Sequence, residues 1–287
     1  MSYAVVTPAR NEAESLPRLA DSLLTQSLSP SRWVVVENGS TDSTPQTLDA
    51  LRGTVPFLVA VSLPRDEVRA YAGHVGRALQ AAIPHITPLP EIVVSVDADV
   101  TFPTDHFERL LERFAGDETL GIASGTCLEE VDGEWKERHV TGDHVWGAAR
   151  AYRREVIPVV MPLENQMGWD GIDQIKANVA GWTTATFKDI PFFHHRPEGA
   201  RKGGSFAVRT RQGQAAYYMG YRPSYLVLRA MFATRNDLGA LGLVWGYLRS
   251  LASQAPRCAD PFVRAHLRET QRLRLVGKRL KEALGRR

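Results

Sequence analysis

Two aspartates one residue apart, Asp97 and Asp99, follow the apolar run Ile92-Val93-Val94-Ser95-Val96. A strand ending there delivers both carboxylates to one place, where their repulsion is costly unless a cation or hydrogen bonds compensate. Mg²⁺ or Mn²⁺ suits such a pair, since each takes one or two carboxylates and completes its shell with water and substrate phosphates. The tripeptide alone reads first as a loop of helix-capping aspartates, and its place behind a strand turns the reading toward a metal. Two more polar clusters stand behind apolar runs. Pro8-Ala9-Arg10-Asn11-Glu12 follows Tyr3-Ala4-Val5-Val6, and Glu37-Asn38-Gly39-Ser40-Thr41-Asp42 follows Trp33-Val34-Val35-Val36. They offer backbone N–H groups, an acidic acceptor and a helix N-terminus, enough for a nucleobase and ribose beside metal-bound phosphates. The same residue types also serve purely local turns and caps.

The elements that position these clusters follow from apolar spacing. Leu16, Leu19, Leu23 and Leu24 predict a helix within Glu12 to Leu28, and Asp42-Ser43-Thr44-Pro45 opens a second. Phe57 to Leu63 reads as a third strand, Ala70 to Ile83 as a helix and Ile92 to Val96 as a fourth strand. This alternation predicts an α/β fold: a doubly wound, mostly parallel sheet with helices on both faces and its ligand site at the strands' carboxyl ends. Further on, Phe107 to Phe114, Ala148 to Val156 and Ile172 to Val179 read as helices, Gly121 to Leu128 and Thr183 to Phe187 as strands, and Asp132-Gly133 as a turn. Glycine and basic residues from Glu198 to Gln214 predict a mobile loop. From Tyr217 the pattern is helical, interrupted by Pro223, Pro256 and Pro261. The expected organisation is a domain over residues 1–215 and a basic helical extension over 216–287. The domain divides into a nucleotide-binding half (1–100), an acceptor and catalytic half (101–197) and the basic loop (198–215).

A chain of 287 residues, 44% hydrophobic and 23% charged, is neither disordered nor a repeat solenoid. Two cysteines, Cys127 and Cys258, cannot build a disulfide framework and have no zinc-site spacing, which favours a cytoplasmic setting. The N-terminus has no basic segment or cleavage site of a signal peptide, and Leu238 to Leu248 is about half of the roughly 20 residues a spanning helix needs. The small net charge of +3 conceals an asymmetry: residues 1–197 hold 17 Lys and Arg against 27 Asp and Glu, residues 198–287 hold 18 against 5. Such a basic segment matches phosphates, nucleic acid, a membrane surface or the acidic part of the same chain, or is simply a solvated helical face.

With the strand-end clusters in place, three segments resemble the N-terminal motifs of family 2 glycosyltransferases with the GT-A fold: Val5 to Glu12, Val34 to Asp42 and Val94 to Asp99. Trp146-Gly147-Ala148-Ala149-Arg150 resembles the family's segment near the donor diphosphate and acceptor, and Gly168-Trp169-Asp170-Gly171-Ile172-Asp173 its catalytic-base helix. The resemblance covers about residues 1–200 and implies an inverting hexosyltransferase-like enzyme, dependent on Mn²⁺ or Mg²⁺, with a UDP-, GDP- or dTDP-sugar donor. It further implies that Pro8, Ala9, Arg10, Asn11 and Glu12 line the nucleotide pocket and that Glu37, where the family usually has Asp, accepts from the base imide beside Asn38 and Gly39. Arg77 would approach the nucleotide, as would Ala98, with Asp97 on the ribose or metal and Asp99 on the metal. Asp170 falls where the family's base stands, with Trp169 replacing the usual Glu, and Asp173 one turn on is the reserve. Strand alternation sends His194 and His195 to opposite faces. The resemblance makes His194 the metal ligand and His195 its substitute. Trp146, Gly147, Ala148, Trp169, Arg196, Arg201 and Lys202 would meet the diphosphate or acceptor.

Two other functions compete. A nucleotidyltransferase would usually bring a glycine-rich phosphate loop, which Pro8-Ala9-Arg10-Asn11 lacks. A non-catalytic protein would bind anionic surfaces through its last 90 residues. The leading reading places the chain in glycan, glycolipid or cell-envelope polysaccharide synthesis, with a glycan or lipid-linked acceptor and no nucleic acid. A peripheral contact at the inner face of the plasma membrane is expected from the apolar patch of Leu238, Leu241, Leu243, Val244, Trp245, Tyr247 and Leu248 and from the basic residues of 261–287.

Overall fold

Every residue of β1 (Tyr3–Ala9) is buried, and so are all but the first of β2 (Arg32–Asn38) and all of β4 (Ile92–Val96). Near-continuous apolar strands of this kind belong to a sheet covered on both faces. The computed structural model describes residues 1–64, 73–131, 133–138, 144–164, 166–196, 204–235 and 237–272. Within them β4, β1, β2 and β3 (Leu58–Leu63) pair in parallel. Side-chain alternation splits the core: Val5, Val35 and Val94 face one side, Val6, Val34 and Val93 the other. α1 (Ser15–Leu24) and α4 (His106–Gly116) cover the first face with Leu16, Leu19, Phe107 and Phe114. α3 (Gly73–Ala82) and α6 (Trp169–Val179) cover the second with Val75, Leu79 and Trp169. α2 (Thr44–Arg52) crosses from β2 to β3, its first turn carrying Pro45.

The second half of the sheet is mixed. Beyond β4 the order continues through β8 (Ala149–Arg153), β6 (Leu120–Val131), β9 (Thr183–His194) and β5 (Val100–Thr101), with β7 (Glu134–Glu137) hairpinned onto β6. β8 runs antiparallel to both neighbours, while β6 and β9 are parallel. β9 is longer than its apolar start predicts. It shifts register opposite Gly125, where a β-carbon would collide with the Ile190 carbonyl oxygen. The shift carries the strand on to pair His194 with Val100 of β5 and with Glu129 of β6.

Two expectations are corrected. Ala148 to Val156 is not a helix but β8 followed by a 3-10 turn at Arg154–Val156 and the short α5 (Ile157–Val160). Alanine and arginine favour helix, yet the slot between β4 and β6 overrides that weak preference. α1 lies within the expected Glu12 to Leu28, starting at Ser15 because residues 10 to 14 are used in the turn that leaves β1. Residues 205–215, expected as the end of a mobile loop, lie in α7 (Ser205–Met219). Gly213 there serves a helix contact: a β-carbon would strike the Leu243 carbonyl oxygen of α9 (Leu241–Ala252). α8 (Pro223–Ala233) and α10 (Pro261–Thr270) complete the described helices, and α10 packs on α6. Among the described residues no helix is long and apolar enough to cross a membrane.

Asp173, the reserve base, is buried structure. Arg150 of β8 donates to it twice, Nε to Oδ2 at 3.0 Å and Nη2 to Oδ1 at 2.6 Å, and the Tyr152 hydroxyl donates at 2.5 Å. Burial pushes the Asp173 carboxyl up to about 6, against the pull of Arg150 and Tyr152. With side chains 0% and 1% exposed, the pair ties α6 to β8 and leaves no room for an acceptor. Asp173→Ala strands the Arg150 charge, so denaturant unfolding should show a loss of about 3–5 kcal/mol. A loss below about 1 kcal/mol would mean the pair is dispensable.

Buried His106 gives the fold a titratable weak point. Burial lowers its pKa to about 4, opposed by the Pro191 carbonyl 2.8 Å from Nδ1. A histidine depressed on folding stabilises fully above its unfolded value near 6.5 and loses that contribution as pH falls toward 4. Between pH 7.5 and 5 this amounts to about 2 kcal/mol. In His106→Gln the fall in unfolding free energy over that range should be shallower by about this amount, and an unchanged slope would contradict the assignment.

Candidate functional site

The turns leaving β1 and β2 are knitted together. Parallel register sets Ala9 beside Glu37, and the chain then kinks at Asn11, whose φ of 58° lies in the left-handed region that asparagine tolerates. The Asn11 amide donates to Ser40 Oγ at 3.0 Å, and its side-chain Oδ1 accepts from the Thr41 amide at 2.8 Å. Glu12 N donates to Thr44 Oγ1 at 2.8 Å, and Asp42 Oδ1 accepts from the Thr44 amide at 3.0 Å, opening α2. Pro8 and Ala9 are buried, Arg10 and Asn11 exposed. Glu37 is nearly buried and accepts from the Ser40 amide, with Asn38 and Gly39 between them. The two polar clusters thus form one edge, as their strand-end positions predict.

The acidic centre lies alongside. Ligand atoms of Asp97, Asp99 and His194 all fall within 4.8 Å of one another, as do those of Cys127, Glu129 and His194. His194 bridges the two groups, with Nε2 3.4 Å from Asp99 Oδ1 and Nδ1 3.5 Å from Glu129 Oε1. Although burial alone would lower its pKa, hydrogen bonds with Asp99, Cys127 and Glu129 raise it to about 12. Arg196 spans the site: Nε donates to Asp99 Oδ2 at 2.7 Å while Nη2 pairs with Glu12. His195 turns away to Thr101 Oγ1 at 2.9 Å and to the edge of Trp135, so it is not a second candidate ligand. Two carboxylates and an imidazole make an oxygen and nitrogen donor set that fits Mn²⁺ or Mg²⁺. Ala98 packs its methyl into the core.

The chain entering β8 reaches the same centre through the backbone, for Asp97 N donates to Ala148 O at 2.9 Å. The segment before β8 then passes close to Asp170. A β-carbon on Gly147 would lie 3.4 Å from the Trp169 ring and 3.7 Å from Asp170 Oδ2. Asp170 is half-buried with His144 Nε2 3.5 Å from Oδ2, and its own carbonyl accepts from Arg150 Nη2 at 2.8 Å. Trp146 is buried, and its Nε1 has no hydrogen-bond partner among the described residues. Arg138 lies over the Trp146 ring, 5.1 Å from its centroid, while donating to Glu129 at 2.8 Å.

Sequence reasoning missed Glu129, Arg138 and His144. Glu129 is two residues from Cys127 on a strand and so shares its face, a period-2 signal that would have found it. His144 lies in the loop before β8, where no such periodicity applies. Arg138 carries no such signal. Arg77 sits half-buried on α3, and Arg201 and Lys202 lie outside the described residues.

Solved structures share this architecture. The mannosyltransferase PcManGT from Pyrobaculum calidifontis, in complex with GDP-Man and Mn²⁺, is 20% identical with a TM-score of 0.58, covering 98% of this chain and 84% of its own. S. aureus TarS 1–349 in complex with UDP is 16% identical with a TM-score of 0.55, covering 74% of this chain and 64% of its own. The same protein with UDP-GlcNAc is 16% identical with a TM-score of 0.54, covering 75% and 66%. No curated protein matches the sequence significantly. The profile of glycosyl transferase family 2 matches residues 4–159, more than half the chain and all of the strand-end clusters, so the chain belongs to that family.

Proposed function

We propose that this chain is an inverting, metal-dependent glycosyltransferase that moves a sugar from a nucleoside-diphosphate sugar to an acceptor hydroxyl. The observation that carries the reading is the hydrogen bond from Asp97 to Ala148. It joins the acidic centre to the segment beside Asp170, so that a donor phosphate group and an acceptor hydroxyl meet in one place. Asp97, Asp99 and His194 are the residues that would hold Mn²⁺ or Mg²⁺. Bound there, the metal supplies positive charge to the departing diphosphate. Glu37, Asn38 and Gly39 take the base, and Pro8, Ala9, Asn11 and Glu12 wall the pocket. Arg196 already sits among carboxylates and supplies a diphosphate contact.

Asp170 acts as general base. Its carboxylate takes the acceptor proton as the acceptor oxygen attacks the anomeric carbon and the electron pair of the breaking bond leaves with the diphosphate. His144 orients the carboxylate from one side. The donor nucleobase is that of UDP, GDP or dTDP, and the acceptor a glycan or lipid-linked sugar of envelope polysaccharide synthesis. The relatives bound to GDP-Man, UDP and UDP-GlcNAc support the donor class.

Paired variants test this reading in calorimetry and transfer assays with each nucleotide and Mn²⁺. Asp99→Asn, or EDTA, should weaken nucleoside diphosphate binding at least about tenfold. Asp170→Asn should keep that binding and lose about 10²–10⁴-fold in transfer, the usual worth of a positioned base. Equal affinity in EDTA, or an active Asp170→Asn enzyme, would overturn the proposal.

A further inference from the structure

α9 is built the wrong way round for a helix that meets water. Its glycines face inward: a β-carbon on Gly242 would collide with the Phe206 carbonyl oxygen of α7, and one on Gly246 with that of Thr210. Gly213 of α7 answers with the same close fit against Leu243, so the two helix backbones touch. Small residues four apart permit this approach, which is how helices pack where no hydrophobic force separates inside from outside. Leu243 and Tyr247 are buried on the inner side with the glycines, while other large apolar side chains of α9 point outward. Leu241, Trp245 and Leu248 recur at helical spacing and are 56%, 56% and 51% exposed. α8 packs on α9 through Leu226 and Ala230 against Leu243 and Tyr247, and it too exposes Val227 and Met231, the latter by 63%.

Exposed arginines border these helices: Arg229 on α8, Arg235 just past its end and Arg249 on α9. They belong to the 90 residues that hold 18 Lys and Arg against 5 Asp and Glu. A second copy on this face would set like charge against like charge, whereas an anionic lipid surface complements it. α9 has 12 residues, a length of about 18 Å, too short for a hydrocarbon layer of about 30 Å. We propose that α8 and α9 form a docking face for an anionic lipid bilayer, α9 lying in the plane of the interface with Leu241, Trp245 and Leu248 among the lipid chains. Interfacial tryptophan and apolar anchors supply the insertion, and the arginines supply the preference for anionic headgroups. None of the side chains named on this face is one that the catalytic reading uses, so it fails or stands independently of that reading.

Co-sedimentation of the full chain with vesicles decides the matter. Binding is expected to phosphatidylcholine vesicles containing phosphatidylglycerol, weaker by at least about tenfold on phosphatidylcholine alone or in high salt. The double variant Leu241→Ser and Leu248→Ser changes only exposed side chains. It should keep the wild-type melting temperature and nucleotide affinity but lose at least about tenfold in vesicle binding. Vesicles should shift tryptophan emission to the blue in the wild type and not in Trp245→Phe. No binding at low salt, or binding untouched by the double variant, overturns the proposal. So does a lipid-free dimer, seen by light scattering, that the double variant converts to monomer.

Discussion

Negative charge gathered at the carboxyl edge of a buried sheet is the constraint on which the rest of this structure depends. Glu12 and Asp99 are nearly buried, Asp97 and Glu129 close by, and none of these carboxylates is far from another. Such a group is unfavourable unless cations stand among them. Arg196 does so here, joined by Arg138 on Glu129, and the same carboxylates raise the pKa of His194. Each cation arrives from a late part of the chain, so β6 and β9 must close against the early strands before the acidic edge is neutralised. In the proposed reading a divalent ion would take over part of this neutralisation.

Strand geometry sets the scale of that neutralisation. The register shift opposite Gly125 lets β9 extend to His194, and pairing with both β5 and β6 fixes which imidazole meets the acids. On the far side β8 carries Arg150, whose buried pairing with Asp173 anchors the helix that presents Asp170. Neighbouring aspartates on one helix therefore sit in unlike surroundings, one buried and holding the scaffold, the other half-buried beside His144 and proposed as the base. Environment decides between them, as it does for any two carboxylates of similar intrinsic acidity.

How much of this was legible in the sequence depended on whether the signal was local. β1 to β4 were readable because apolar runs ended in turn residues, and the strand alternation of His194 and His195 separated the imidazoles before any contact was known. β8 was not, because its alanines and arginines favour helix and only the neighbours on either side make it a strand. The ambiguity of Asp170 and Asp173 had the same origin: their burial is set by Arg150 and Tyr152, some 20 residues away in sequence. Arg196 is legible as part of the basic His194-His195-Arg196 run after the late strand, but no spacing rule reaches the 184 residues back to Glu12. The glycines of 198–215 read as loop residues, yet Gly213 is needed for close helix packing.

The central claim is that the acidic edge is the place where metal and nucleoside diphosphate meet. Anomalous diffraction from crystals of the protein grown with Mn²⁺ and GDP or UDP tests it most directly. The expected result is one strong manganese peak among Asp97, Asp99 and His194, with diphosphate oxygens completing its shell. A peak at Cys127 and Glu129 without Asp99, or nucleotide bound away from these residues, would contradict the account.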